Sequence, residues 1–284
     1  MSQLERFQSE TKISANREWV SYYIENGSNY PITLEIDPTN TCPLGCEKCI
    51  WHEFREGVKD SLSAEVMMRV VEEAALLGVK SIIWTGGGEP LANSGTISAI
   101  LRSNELGMKN GMFTTGVSLT PRRTEELLDV LSWVRFHLDG SSANTYSRIH
   151  QVPKSVYYKV IENIGNFTKR KKEKGSKISI GIGSVALYEN FSEVSELARL
   201  TKRLGLDYFQ YKHDLTQMTN SEYMTWWNSD VTTMLQELSC ELESSTFKLQ
   251  FSNNINYEVP DLSPFCHIHH MNTAITADGR VGYC

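Results

Sequence analysis

Short apolar runs rich in β-branched and aromatic residues alternate along this chain with longer stretches whose apolar positions recur every three or four residues. The first pattern is that of buried strands, the second that of amphipathic helices. Residues 32–36 read as a strand. Residues 64–77 read as a helix, with Ser63 placed to cap its start and Gly78 just past its end. Strands follow at 81–85, 108–114, 134–138, 178–185 and 207–212. Between them lie helices at 94–106, from Pro121 onward, at 143–149, 156–172 and 192–204, and a further one spans 221–242. Thr120 caps the helix that opens on Pro121, whose missing N–H costs nothing at a first helical position. Two short strands, 272–276 and 280–283, flank Asp278-Gly279, a hairpin signal.

Strands separated by helices of this length imply a parallel sheet with right-handed crossovers. The count is about six units. The expected fold class is therefore α/β, a partial (β/α)6 TIM-like barrel, left open because six units are too few to close the eight-stranded form. Functional groups in such folds gather at the C-terminal ends of the strands. The expected division is an N-terminal helical or irregular extension over 1–30, a core domain over 31–245 and a C-terminal segment over 246–284.

With 40% hydrophobic and 22% charged residues, the composition is that of an ordinary globular protein. A net charge of -6 argues against a general nucleic-acid binder. The first ten residues carry no apolar signal core, and no run approaches the ~20 apolar residues of a membrane span. A cytoplasmic location is expected, where cysteines serve more readily as metal ligands than as disulfides. Cys240 sits in a helical stretch and reads as packing. The run from Lys169 to Lys174 closes a helix, where cations suit the dipole, and reads as a solvated end. Trp226 and Trp227 are adjacent on a helix and must point differently.

Directly after the first strand comes Cys42-Pro43-Leu44-Gly45-Cys46-Glu47-Lys48-Cys49, a C-x3-C-x2-C spacing. Three thiolates on one loop can hold three irons of a 4Fe–4S cube. The fourth iron then stays open to a small molecule, whereas electron-transfer cubes take four cysteines. Zinc held by the same cysteines with His52 is the competing reading, but structural zinc ligands usually come as two C-x2-C-like pairs. After the second strand comes Thr85-Gly86-Gly87-Gly88-Glu89-Pro90. Its glycines permit close backbone approach, Glu89 adds a carboxylate and Pro90 stiffens the exit. Alone it would be a glycine-rich turn.

The two motifs, in this order and at these strand ends, resemble the radical S-adenosylmethionine (SAM) enzymes over about residues 32–215. The resemblance implies that Cys42, Cys46 and Cys49 ligate the cluster and that the amino and carboxylate groups of SAM chelate its open iron. It implies that Gly87, Gly88 and Glu89, in the turn closed by Pro90, receive the methionine amino group. His137 or Asp139 would contact the ribose, although a satisfied core histidine is an equal reading of His137. Thr115 stands in Thr114-Thr115-Gly116, which is similar to the family's Thr-Asn-Gly turn, and Arg148 would meet the SAM carboxylate. One departure is Lys48, where many members carry an aromatic residue before the third cysteine; Trp51 follows Cys49 instead. The implied chemistry is reductive cleavage of SAM to a 5′-deoxyadenosyl radical that abstracts a substrate hydrogen. An electron donor such as a flavodoxin or ferredoxin is implied with it.

Cys266, Gly279 and Cys284 form C-x12-G-x4-C, which resembles the opening of a SPASM or twitch extension; the resemblance implies either an auxiliary iron–sulfur cluster on Cys266 and Cys284 or, since the chain stops at Cys284, a truncated segment whose pair lacks a complete cluster. His267, His269 and His270 offer nitrogen ligands of the Rieske kind as an alternative. The substrate class expected is a peptide or protein to be matured, or a sugar or alcohol to be oxidised or epimerised. A glycyl-radical-enzyme activase and a non-enzymatic metal-binding module are the competing functions. The C-terminal pattern weighs against the first, and the glycine-glutamate turn against the second. Arg55, Tyr211, Lys212 and His213 line the barrel mouth by position only.

Overall fold

The fold is seen in a computed structural model that describes residues 16–27, 29–52, 57–252 and 270–283. Cys266, Cys284, His267, His269 and Arg55 therefore lie outside the described residues, and with them the auxiliary-cluster expectation. The described strands are β1 (Thr33–Ile36), β2 (Ser81–Trp84), β3 (Lys109–Thr114), β4 (Leu131–His137), β5 (Ser179–Ala186), β6 (Tyr208–His213), β7 (Lys248–Gln250), β8 (Asn272–Ile275) and β9 (Val281–Tyr283). They form one sheet in the order β7-β6-β5-β4-β3-β2-β1-β8-β9. Every pairing from β7 to β8 is parallel, and only β8 with β9 is antiparallel. The sheet is open, as a partial barrel requires.

The helices are α1 (Arg17–Asn26), α2 (Ala64–Leu76), α3 (Thr96–Glu105), α4 (Pro121–Leu128), α5 (Ala143–His150), α6 (Lys154–Lys174), α7 (Val194–Arg203), α8 (Ser221–Trp226) and α9 (Thr232–Leu242). Their starts follow the chemistry of the sequence. Ser63 accepts from the Val66 N–H, and Thr120 accepts from Arg123 with Pro121 in the first turn. Gly175, at φ 65°, ends α6 in the left-handed conformation.

Side chains alternate on each strand, and β4 shows what this does for the site. Val134, Phe136 and Leu138 are fully buried in the main apolar core. Their neighbours Arg135, His137 and Asp139 line a cavity at the C-terminal ends of the strands. The helix-facing layer thus holds the fold together while the other face is left for chemistry.

Three details differ from the expectation. Residues 221–242 are not one helix: a π-helical turn, Trp227–Val231, separates α8 from α9. Trp227 is fully buried there, against Tyr211 and His213, while Trp226 packs on Tyr188 and Phe191. The extra residue of the wider turn lets both adjacent indoles find packing on different sides. Cys240 is exposed rather than packed. The hairpin across Asp278-Gly279 forms, and its first strand joins the core sheet, with Ile275 in register with Ile36 of β1. β7 is too short, at three residues, to show a pattern.

Candidate active site

The cysteine loop and the glycine turn are packed on each other, and glycine is what allows it. A Cβ on Gly88 would lie 2.3 Å from the Thr41 carbonyl oxygen and 2.6 Å from that of Thr39. A Cβ on Gly87 would lie 2.6 Å from Asn40 Oδ1. At Gly88 the obstacle is backbone and no side chain fits; at Gly87 the Asn40 amide would have to turn away. The contact is fixed by a hydrogen bond from the Glu89 N–H to the Thr41 carbonyl at 2.9 Å, one residue before Cys42. On the other side of the loop, the Gly45 N–H donates to the His150 carbonyl at 3.0 Å. Asp37, at the end of β1, accepts a hydrogen bond from the Gly87 N–H. Burial, reinforced by nearby Glu35, nevertheless pushes the Asp37 carboxyl up to about 6.

Glu89 is almost fully buried. Its carboxylate accepts from Thr114 Oγ1 and the Thr115 N–H, each at 2.6 Å, and from the Leu91 N–H at 3.2 Å. Burial raises its pKa above the ordinary value against the pull of these donors. The turn therefore presents a carboxylate held by neighbouring elements and paired with no cation among the described residues.

Opposite lies a chain of polar groups that ends on a cysteine. Asp139 accepts from Ser184 Oγ at 2.9 Å and from the Val185 N–H at 2.8 Å. Its other oxygen is 2.7 Å from His137 Nε2 and 3.7 Å from His150 Nε2. Burial would raise the Asp139 pKa, but His137 and these donors hold it well below the usual carboxylate range. Desolvation lowers the His137 pKa, and the Asp139 carboxylate more than offsets it, so His137 titrates above its ordinary value. The His137 side chain is 42% exposed, and that exposure faces the cavity rather than bulk solvent, which is why desolvation still acts on it. His150 is fully buried, and desolvation pulls it down to about 4. Neutral at physiological pH, its Nδ1 lies 3.0 Å from Cys46 Sγ. A proton placed on Nδ1 is then donated to the sulfur, which suits a thiolate ligand steadied by an outer hydrogen bond.

One cavity of about 620 Å³ gathers these groups. Cys42, Cys46 and Cys49 line it together with residues 86–90, Thr115, His137 and Asp139, all named by the sequence. Lys212 and His213 also reach it. Tyr211 does not: it is buried in the core, with its hydroxyl on Asn190. Arg148 is not brought to this cavity either. Its Nη2 donates to the Glu189 carbonyl at 3.1 Å, beside a separate, smaller recess. His52 is not among the residues that line this cavity, although its N–H donates to the Cys49 carbonyl at 2.8 Å. Trp51 lies near Gly87, 3.9 Å from where a Cβ would stand.

The donor set fits a thiolate-held cluster and an ammonium-bearing ligand. Residues 36–201 match the Radical SAM superfamily, more than half of the chain. The chain belongs to the radical SAM superfamily. The PqqA peptide cyclase of Ruegeria pomeroyi is 30% identical over 120 residues, 42% of this chain and 32% of that protein. The PqqA peptide cyclase of Rhizobium meliloti is 27% identical over 179 residues, 61% of this chain and 44% of that protein. A tungsten-containing aldehyde ferredoxin oxidoreductase cofactor-modifying protein of Pyrococcus furiosus is 26% identical over 178 residues, 61% of this chain and 49% of that protein. The chain thus spans less than half the length of these relatives. Among solved structures, Streptococcus suis SuiB bound to S-adenosylmethionine superposes with a TM-score of 0.67 at 16% identity, covering 96% of this chain and 64% of that one. The anSMEcpe structure with bound AdoMet gives 0.63 at 16% identity, covering 89% and 74%. These likenesses show the radical SAM fold, and the family's cofactors are a 4Fe–4S cluster and SAM.

Sequence reasoning missed Asp37, Glu35, Arg135 and His150. Period-two alternation carries a signal for three of them: Glu35 shares a face with Asp37 on β1, and Arg135 shares one with His137 on β4. His150 had none, because its role depends on how α5 meets the cysteine loop.

Proposed function

We propose that this chain is the catalytic core of a radical SAM maturase acting on a peptide or protein. The observation that carries the reading is the interlock of the cysteine loop with the Gly87–Glu89 turn at the mouth of one cavity. Cys42, Cys46 and Cys49 would hold the cluster, with His150 orienting Cys46. Glu89 would receive the ammonium of SAM, which supplies the positive charge its buried carboxylate lacks. His137 and Asp139 offer a donor–acceptor pair to the ribose hydroxyls. When bound, the cluster and SAM together supply a 5′-deoxyadenosyl radical able to take hydrogen from an unactivated carbon. The residues of this chain then have to position the substrate and keep water out of the cavity. Ile50 at the cysteine loop and Leu215 after β6, both lining the cavity, would supply apolar surface for that exclusion.

Family membership supports an enzyme over a non-enzymatic metal-binding module. A peptide substrate is supported by the relatives named PqqA peptide cyclase and by the SuiB structure bound to precursor peptide SuiA. The test is deuterium transfer. Reconstituted protein is incubated with SAM and reductant, alongside either a pool of perdeuterated synthetic peptides or a pool of perdeuterated sugars and alcohols. Mass spectrometry then reads deuterium in the 5′-deoxyadenosine. Label arriving from the peptide pool supports the maturase; label arriving from the sugar and alcohol pool alone overturns it.

A further inference from the structure

Beside His137, the cavity wall carries two cations. Arg135 stands two residues before His137 on the same face of β4, and Lys212 stands near the end of β6. Both converge on Phe113: the Arg135 Cζ is 5.0 Å and the Lys212 Nζ 5.7 Å from its ring centroid. Arg135 is 8% exposed. Trp133 and Tyr208 also contact the guanidinium, with ring centroids at 5.8 and 5.5 Å, and its Nε donates to the Tyr208 hydroxyl at 3.2 Å.

The strands leave room for this arrangement. A Cβ on Gly183 would lie 2.8 Å from Arg135 Cδ, one on Gly181 2.2 Å from the Tyr208 ring, and one on Gly111 2.1 Å from the Trp133 ring. Three glycines, Gly111 on β3 and Gly181 and Gly183 on β5, flank β4 on both sides and make space for one arginine and its aromatic collar.

Neither cation is paired with a carboxylate among the described residues. Among the described residues no carboxylate lies within ion-pair distance of Arg135 or Lys212, and both Nη atoms of Arg135 make no hydrogen bond. The acids that share the cavity are occupied or remote: Glu89 by Thr114 and Thr115, Asp139 by His137 and Ser184, Asp214 by Thr216, and Glu35 across the barrel on β1. Lys212 is open to the cavity yet walled in by the barrel. Desolvation, and then the like charge of Arg135, pull its ammonium down to about 8. Like charges held together in a concave, half-dry site are costly unless an anion joins them. A carboxylate can take both, bidentate on the guanidinium fork and singly on the ammonium.

We propose that Arg135 and Lys212 form a receptor for a carboxylate of the substrate, which fixes the reacting carbon in the cavity. The idea rests on the maturase reading for what the substrate is, but the anion site stands on its own geometry. A peptide offers such a group as an acidic side chain or as its C-terminus.

The test is equilibrium binding to the anaerobically reconstituted full chain with SAM present, using three probes. N-acetyl-aspartate N-methylamide carries a side-chain carboxylate, N-acetyl-asparagine a terminal one, and N-acetyl-asparagine N-methylamide neither. At least one acid should bind ten-fold or more tighter than the uncharged probe, and the preferred acid identifies which carboxylate is read. Arg135→Met and Lys212→Met should each erase most of that preference while SAM retention, measured by equilibrium dialysis, stays within about two-fold. Equal binding of all three probes by the wild-type chain overturns the proposal, whether or not either variant folds. So does a preference that survives in both variants, and so does loss of SAM retention in Lys212→Met, which would hand the cations to SAM itself. A chain that shows the preference but releases no 5′-deoxyadenosine loses the maturase reading and keeps the receptor.

Discussion

Two carboxylates decide how this site behaves with pH, and they do so in ways a side-chain inventory would not reveal. Glu89 is buried, and its pKa is raised by that burial, although Thr114, Thr115 and Leu91 donate to it. An ammonium binds only its ionised form, so SAM affinity should fall as pH falls through the raised pKa of Glu89. Glu89→Gln removes the charge and keeps the shape. A hydrogen bond to a charged group is worth about 1.5–3 kcal/mol, so SAM should bind roughly ten- to a hundred-fold more weakly to that variant. Dialysis against labelled SAM measures it. Asp37 acts on stability. Its carboxyl titrates near about 6 when folded against 3.8 as the ordinary value. A raised acid favours the folded state most when protonated, so stability is highest below the unfolded pKa and is lost as pH rises through the folded one. The full cost is about 3 kcal/mol. Asp37→Asn keeps an acceptor for the Gly87 N–H and should stabilise the cluster-free chain by up to that amount near neutral pH. Denaturant titrations of the two proteins should converge below about pH 4; a gap that persists there would contradict the cause assigned.

At the scale of elements, the site is two loops clamped together, and the clamp is made of missing side chains. Gly88→Ala places a Cβ 2.3 Å from the Thr41 carbonyl oxygen. The cysteine loop must then move. Overpacking of this kind costs about 1–3 kcal/mol. We expect a lower melting temperature together with weakened iron incorporation, whereas Gly57→Ala, next to open space but at φ 75°, should cost only local backbone strain. Cys46→Ala should abolish cluster assembly with the fold intact, judged by iron content and circular dichroism. Both motifs and the strands that carry them were legible in the sequence, because C-x3-C-x2-C and the glycine-glutamate turn are local patterns. Their interlock was not, since it depends on backbone approach between β1 and β2. The inward face of β4 was half legible. His137 and Asp139 stood out at the end of the strand, while Arg135, two residues before His137 on the same face, was not singled out. Arg148 was named from resemblance alone, and it sits at the C-terminal end of α5, beside the smaller recess.

Across the whole molecule, the sheet is longer than the six strands expected of the core, because β7, which the sequence did not show, adds to one edge and the expected hairpin strands β8 and β9 join the other. β8 matters for the site. Its neighbours in β1 lead straight into the cysteine loop, and the Asp37 N–H donates to the Ile275 carbonyl at 2.8 Å while the Thr33 N–H donates to that of Met271 at 3.0 Å. Truncation before Met271 removes both acceptors and bares the β1 edge. Hydrogen exchange at the Thr33 and Asp37 amides should then accelerate by about ten-fold or more, while amides of β4 and β5 keep their protection. This frame brings Cys42, Cys46 and Cys49 to one cavity beside the Gly87–Glu89 turn, where we propose that SAM binds. The decisive experiment is release of 5′-deoxyadenosine from SAM after anaerobic iron–sulfur reconstitution and dithionite reduction, with iron counted per chain. Release by the wild-type chain, absent from Cys46→Ala, is the result expected. Zinc in place of iron, or equal release by Cys46→Ala, would contradict it.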